Sequence, residues 1–232
     1  MLKYFISILI LLISFSGLSQ EKKVIVIKDT ISKGYKDRYG LRVGIDLYTP
    51  INSFFNEDRK GFEIVGDYRI SKRIFIAAEM GYLQNKDYED FFNFTTNGQY
   101  IKAGADFNAY KNWIGMENMI YVGLRYGFST FDQTLNEYMI NANPFLPEET
   151  IPAGTKYDNL NASWIEFVIG MKVEVLHNVY LGFSFRGNQL ISSKEPENFK
   201  NLFIPGFNEV FLNDNGFSFN YTVSYLIPLY KK

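Results

Sequence analysis

Side chains that commonly catalyse reactions are scarce in this sequence. The chain has one histidine, His177, and no cysteine, which excludes disulfides, thiolate metal sites and a cysteine nucleophile. His177 stands in a predicted turn, and no neighbouring group gives it a role in proton transfer. The spacing of Ser, Asp and Glu matches no nucleophile elbow, zinc motif or phosphate-binding loop. We therefore predict no catalytic residue, no metal and no cofactor, and we expect that the protein is not an enzyme.

Charged residues able to pair with one another recur at alternate positions of several segments. Within each segment, the charged residues occupy every second position and therefore share one face. They are six basic residues, Arg42, Arg69, Lys102, Arg125, Lys172 and Arg186, and seven acidic residues, Asp46, Glu63, Asp67, Glu79, Asp106, Glu166 and Glu174. Charges gathered in a narrow space are costly to bury unless they are paired. The near balance predicts a structural network of ion pairs. A path for ions lined by the same groups is the alternative.

The segments that would position these charges have a period of two, which is typical of β-strands with two different faces. Opposite the charges, each segment carries a row of Leu, Ile, Val, Phe or Met. The predicted strands are Tyr39–Tyr48, Gly61–Ile70, Ile74–Leu83, Tyr100–Tyr110, Met119–Phe128, Ser163–Val175, Val179–Asn188 and Gly216–Ile227. Eight such segments predict an all-β fold, a closed up-and-down antiparallel barrel.

The connections between these strands alternate in length. Those at Ser71–Arg73 and Leu176–Asn178 are short, and that at Lys111–Asn118 is intermediate. The long ones are Thr49–Lys60, Gln84–Gln99, Ser129–Ala162 and Gln189–Asn215. Outer-membrane barrels have short periplasmic turns at one end and long extracellular loops at the other. The alternation therefore predicts extracellular long loops and a periplasmic location for both termini.

Glycine indicates which face of the strands points inward. The charged face also carries Gly40, Gly44, Gly81, Gly104, Gly123, Gly127, Gly170 and Gly182. An eight-stranded barrel has room inside only for packed side chains, so its inner surface needs small residues. The apolar row then points outward, where a soluble protein could not leave it exposed and lipid must cover it. The alternative is a soluble, lipocalin-like ligand-binding barrel with the apolar row inside.

The N-terminal residues have the features of an export signal. Residues 1–19 combine a positive Lys3, an apolar run Phe5–Phe15 and the small residues Gly17 and Ser19, which is typical of a signal peptide. The run is shorter than the roughly 20 residues that a transmembrane helix needs. Residues 20–38 form a periplasmic lead-in or a partial strand, and residues 39–232 form the barrel. The formal net charge of −1 gives no indication of nucleic-acid binding.

The predicted loops are rich in aromatic residues, and these have two possible roles. Tyr and Phe account for most of an aromatic content of 18%. In the loops they could contact an extracellular ligand or protein, or pack on one another as a cap over the barrel. They are Tyr88, Phe91, Phe92, Phe94, Tyr138, Phe145, Phe203 and Phe207.

Several stretches resemble known barrels. GLRVGIDL, GFEIVGDYRISKR, YVGLRYGFSTF, NASWIEFVIGMK and FNYTVSYLIPLYKK are similar to a family of Bacteroidota outer-membrane barrels, and the mature chain resembles the class that includes the OmpA-type transmembrane domain. The resemblance implies a barrel in the bacterial outer membrane and implies no activity or binding site. We expect a monomer with a closed lumen that contacts outer-membrane lipid and acts through its loops. A narrow pore is the alternative.

Overall fold

The computed structural model describes residues 36–55, 57–88, 92–112, 116–140, 149–196 and 201–232. The chain divides into residues 1–35 and residues 36–232, and the described residues belong to the second unit. The predicted signal peptide, 1–19, and most of the lead-in, 20–38, lie outside the described residues. Within the described ranges, no helix is both long enough and apolar enough to span a membrane.

Eight long antiparallel strands form a closed ring. Each strand pairs with the strands before and after it in sequence, and the first pairs with the last between Arg38 and Lys231. The strands are β1 (Arg38–Asp46), β2 (Arg59–Arg69), β3 (Ile74–Tyr88), β4 (Phe92–Asn108), β5 (Met119–Ile140), β6 (Glu149–Leu176), β7 (Val179–Ser193) and β10 (Asn215–Lys231). The predicted up-and-down barrel is confirmed.

Burial alternates along the strands as the glycine argument predicts. In β3, Ile76 and Met80 are 52% and 54% exposed on the outside, whereas Ala77 and Glu79 between them are buried. The other strands follow the same rule, with aliphatic and aromatic residues outward and charged residues inward. The lipocalin-like alternative, with its apolar row inside, is therefore wrong.

Several inward glycines make room for large aromatic rings on neighbouring strands. A Cβ atom on Gly127 would lie 2.2 Å from the indole of Trp164, which is fully buried. A Cβ on Gly81 would similarly meet the ring of Tyr100. Because the interior of a small barrel is filled by side chains, a large residue must face a small one. These inward rings are absent from the predicted set of lumen residues.

Two segments predicted as long loops are mostly strand. Gln84–Gln99 contains the ends of β3 and β4, which pair as far as Tyr88 and Asn93. Ser129–Ala162 contains the ends of β5 and β6, which pair as far as Ile140 and Glu149. The apolar outward row stops where these strands leave the central band. Pairing continues beyond the band because Thr and Phe have a high propensity for β-strands, whether lipid or water surrounds the strand.

The other two long connections contain shorter elements. Thr49–Lys60 overlaps helix α1 (Tyr48–Phe55). Gln189–Asn215 contains the end of β7, a small hairpin of β8 (Phe203–Ile204) and β9 (Asn208–Glu209), and a 3-10 helix (Leu212–Asp214). Both connections lie at the end of the barrel opposite the short turns, where they border the mouth of the lumen.

Candidate functional site in the barrel lumen

The centre of the lumen holds a dense cluster of opposite charges. The Arg186 guanidinium donates to a carboxylate oxygen of Glu79 at 2.6 Å and to one of Glu166 at 3.0 Å. The Lys102 ammonium lies 3.3 Å from Glu166 and 3.6 Å from both Glu63 and Glu79. All five side chains are buried. Strands β2, β3, β4, β6 and β7 each supply one of them, so the cluster exists only in the closed ring.

A second pair adjoins this central cluster. Arg125 of β5 lies 2.8 Å from Asp106 of the neighbouring strand β4. The same guanidinium lies 3.6 Å from Glu79, which connects the pair to the central cluster. Arg125 and Asp106 are both buried.

Towards the short turns, Asp67 receives two cations. The Arg42 guanidinium contacts one carboxylate oxygen at 2.7 Å, and the Lys172 ammonium contacts the other at 2.5 Å. The ring of Phe75 lies 5.3 Å from the Arg42 guanidinium carbon. Flat guanidinium groups stack well on aromatic faces, so this ring adds to the packing of the layer.

A further cluster lies at the short-turn end of the barrel. Arg38 contacts Glu174 at 2.6 Å and Glu117 at 3.2 Å, and Arg69 contacts Asp37 at 3.2 Å. Sequence reasoning included Arg69 and Glu174 but missed the other three. Arg38 and Asp37 precede the first predicted strand, and Glu117 stands in a predicted turn. The alternation of residues within strands therefore could not predict that these three face the lumen.

Asp46 has a different role from the rest of the predicted charge network. Every other member forms an ion pair within 4 Å, but no described cation lies that close to Asp46. Its Oδ2 instead accepts a hydrogen bond from the Thr49 backbone N–H at 2.9 Å. Asp46 therefore caps the N-terminus of α1, where aspartate is among the preferred residues. The prediction of an ion pair here is corrected, because strand parity does not show that a helix begins next.

The β8–β9 hairpin folds into the mouth of the barrel. Phe203, Ile204 and Phe207 of this hairpin are buried, and the Phe207 ring meets Trp164 edge-on at 5.8 Å. Asn188 of β7 donates to the Phe207 carbonyl at 3.0 Å and fixes the hairpin to the wall. The hairpin therefore covers part of the mouth of the barrel.

The described aromatic loop residues fall into a buried group and a more exposed group. Phe94, Phe203 and Phe207 are buried in the cap, whereas Tyr88 and Tyr138 are exposed. Phe92 is half-buried beside Phe94. Phe91 and Phe145 lie outside the described residues.

The mouth also contains a cavity of about 200 Å³. Helix α1 and the β8–β9 hairpin border it, and Glu63 and Lys102 of the central cluster lie at its base. Asp46, Arg59 and Ser218 contribute to its wall. Towards the short turns, a cavity bordered by Arg42 and Tyr180 measures about 20 Å³.

No described group of three or more His, Cys, Asp or Glu side chains could hold a metal ion. His177 is an exposed residue of the β6–β7 turn.

The closed ring, the outward apolar residues and the ion-paired lumen together define a transmembrane β-barrel. The chain belongs to the family described as "Domain of unknown function (DUF6048)", whose model matches residues 1–232. No curated protein matches the chain. Among solved structures, it is similar to Ail, the attachment invasion locus protein of Yersinia pestis, with 9% identity and a TM-score of 0.41. That match covers 82% of this chain and 97% of Ail.

Proposed function

We propose that this protein is a monomeric integral barrel of the bacterial outer membrane, with a closed lumen and a structural or surface-interaction role. The observation that carries the proposal is the outward apolar row on every strand of the ring. Leu124 and Phe167, on neighbouring strands, are 57% and 50% exposed, and comparable residues surround the barrel. A soluble monomer leaves only a few hundred Å² of contiguous apolar surface uncovered.

The backbone is also suited to a lipid environment. A closed ring satisfies the backbone hydrogen bonds of every strand along the shared band, and lipid offers no substitute partner for them. About ten residues per strand, rising roughly 3.3 Å each and tilted by about 40°, cover the roughly 25 Å apolar band of an outer-membrane barrel. The predicted signal peptide at residues 1–19 supports export to that membrane.

The ion-paired lumen supports a closed barrel over a narrow pore. Ion pairs cross the lumen at several levels, and the β8–β9 hairpin covers part of the mouth. In planar bilayers we expect no conductance steps at any voltage. Regular steps that change in Arg125→Ala would instead support the pore.

The extended strands provide the surface for an interaction outside the cell. β3 to β6 continue beyond the apolar band as a paired sheet, and Tyr88 remains 65% exposed on it. Exposed aromatic residues are frequent in binding surfaces. We propose that a ligand or protein outside the cell contacts this sheet. We also propose that the barrel is of the OmpA-type class that its sequence resembles.

Fractionation tests the membrane location. The protein should sediment with the outer membrane and migrate faster on gels when it is not boiled, since a folded barrel stays compact in detergent. A protein that remains in the soluble fraction without detergent would refute the proposal.

Cysteine labelling tests the orientation, because the natural chain has no cysteine to react. Thr155 is exposed on the extended part of β6, and His177 is exposed in a short turn. In intact cells, a membrane-impermeant maleimide should label Thr155→Cys and leave His177→Cys unlabelled until the outer membrane is permeabilised. The reverse pattern would place the sheet in the periplasm.

A further inference from the structure

The mouth cavity is lined by a buried anion, Asp46, and a half-buried cation, Arg59, that are not paired with each other or with other described charges. Asp46 ends β1 and Arg59 begins the neighbouring strand β2, and both border the same cavity of about 200 Å³. No nitrogen of Arg59 lies within 4 Å of a described carboxylate oxygen. The two charges therefore face one space without neutralising each other directly.

Asp46 offers an unused acceptor. The residue is only 2% exposed, and one carboxylate oxygen, Oδ2, caps α1. The other, Oδ1, is buried and has no hydrogen-bond partner among the described residues. Burying a carboxylate oxygen without a donor is costly, so this atom favours a ligand that brings a cationic N–H group.

Arg59 offers an unused donor. Its Nη2 donates to the Asn208 side chain at 2.7 Å, and its guanidinium lies over the rings of Tyr48 and Phe203. These partners are neutral and hold the group in place. Its buried Nε has no described partner and can donate to an anionic group.

Of the other charges that line the cavity, Glu209 is exposed to solvent, and Glu63 and Lys102 are already engaged. Glu63 accepts from Tyr100 and Asn220, and Lys102 lies between three carboxylates. Ser218 adds a buried hydroxyl that has no described partner. The space corresponds to roughly six or seven molecules of liquid water, enough for a ligand of a few heavy atoms.

We propose that the mouth cavity binds a small zwitterion, of the size of a short amino acid, that carries one ammonium and one carboxylate group. The ammonium group donates to Asp46 Oδ1, and the carboxylate accepts from Arg59 Nε. Ser218 contributes a neutral hydrogen bond. This site is separate from the proposed surface contacts, since it lies within the mouth of the barrel and needs no partner on the extended sheet.

Calorimetry on the detergent-folded full chain tests the proposal with three probes of similar size. L-Alanine carries both groups, ethylamine only the ammonium, and propionate only the carboxylate. L-Alanine should bind at least about tenfold more tightly than ethylamine or propionate, because each hydrogen bond to a charged group contributes about a factor of ten in affinity. No saturable heat with L-alanine would overturn the proposal and indicate a water-filled cavity. Ethylamine or propionate binding as tightly as L-alanine would also overturn it, because only one end of the ligand would then be recognised.

Two substitutions assign the ends of the ligand. Asp46→Asn removes the charge and retains an efficient helix cap, and it should abolish the advantage of L-alanine over propionate. Arg59→Gln should abolish its advantage over ethylamine. Ser218→Ala should weaken L-alanine binding a few-fold and provides a milder test if either charge variant fails to fold.

Matched variants outside the cavity serve as controls. Asp214→Asn makes the same chemical change at an exposed aspartate of the 3-10 helix, and Lys60→Gln removes an exposed charge next to Arg59. Both should bind L-alanine as the unaltered protein does. L-Alanine affinity that is the same in Asp46→Asn, Arg59→Gln and these controls would overturn the assignment. Gel mobility before boiling shows separately whether each variant has formed the barrel.

Discussion

Single charged residues hold the lumen together because their partners come from strands far apart in the chain. Arg186 of β7 contacts Glu79, 107 positions earlier, and Glu166 of the adjacent strand. A buried ion pair adds little stability compared with a well-packed apolar substitute, but removing one partner leaves the other charge exposed to a poorly solvating interior. The network therefore constrains which residues are tolerated inside the barrel.

Arg186→Met should destabilise the barrel by about 3–5 kcal/mol, because Glu79 and Glu166 lose their strongest cationic partner. Urea unfolding in lipid vesicles measures the difference. The control is Lys156→Met, which removes an exposed cation that contacts Asp132 and Asp158 on the extended hairpin. Such a surface pair should contribute nothing measurable. Equal stability of the two variants would contradict a structural role for the lumen network.

The close contact at Gly127 gives a second test at the same scale. Gly127→Ala should cost about 1–3 kcal/mol, because its new methyl group would overlap the indole of the buried Trp164. Gly187→Ala is the matched control, since a methyl there would meet only Phe217, at 3.9 Å. The same unfolding experiment compares them. A neutral Gly127→Ala would show that Trp164 does not occupy this position.

At the scale of elements, the mouth is shaped by a hairpin that inserts into it. The β8–β9 hairpin packs against Trp164 on one side and leaves the polar cavity on the other. It has few backbone pairs of its own, so its position depends on the Phe207 and Phe203 side chains. Small elements of this kind can open locally while the main sheet stays intact.

Phe207→Ser should release the hairpin and let water reach Trp164. We expect a red shift of Trp164 fluorescence. The measurement uses a Trp113→Phe background, so that all tryptophan fluorescence comes from Trp164. The barrel itself should keep its fast migration on unboiled gels. Phe211→Ser, at a residue that is 49% exposed, is the control and should leave the spectrum unchanged. An unshifted spectrum in Phe207→Ser would mean that the hairpin is held by other contacts.

At the scale of the whole molecule, the barrel reverses the usual arrangement of a soluble protein. Its polar residues line the interior and its apolar residues cover the outside, as expected of the proposed membrane location, since lipid cannot solvate charge. β5 crosses from one environment to the other within a single strand. Leu124 lies in its apolar band, and Asn136 is exposed on the part that extends beyond.

Leu124→Arg should therefore destabilise the inserted barrel by about 2–4 kcal/mol, the cost of an arginine facing lipid near the midplane. Asn136→Arg adds the same side chain to the same strand outside the band and should be close to neutral. Folding yield and unfolding in vesicles provide the measurement. A similar tolerance for both substitutions would indicate that the outer surface of the barrel is not covered by lipid.

The sequence by itself determined the strands of the central band, their order and the face that points outward. Period-two alternation has this power because a one-residue shift would turn every side chain of a strand to the wrong environment. Ile76 beside Ala77, and Arg125 beside Leu124, could be assigned to opposite faces without knowledge of any neighbour.

Only the tertiary structure decided which charges meet and how the mouth is built. Strand parity places Glu79 and Arg186 inside, but their contact depends on ring closure and on the relative register of non-neighbouring strands. Asp46 shares that parity and caps a helix, because the next residues leave the sheet. The extension of β5 and β6 and the insertion of Phe207 likewise depend on partners distant in sequence, which alternation within one segment cannot report.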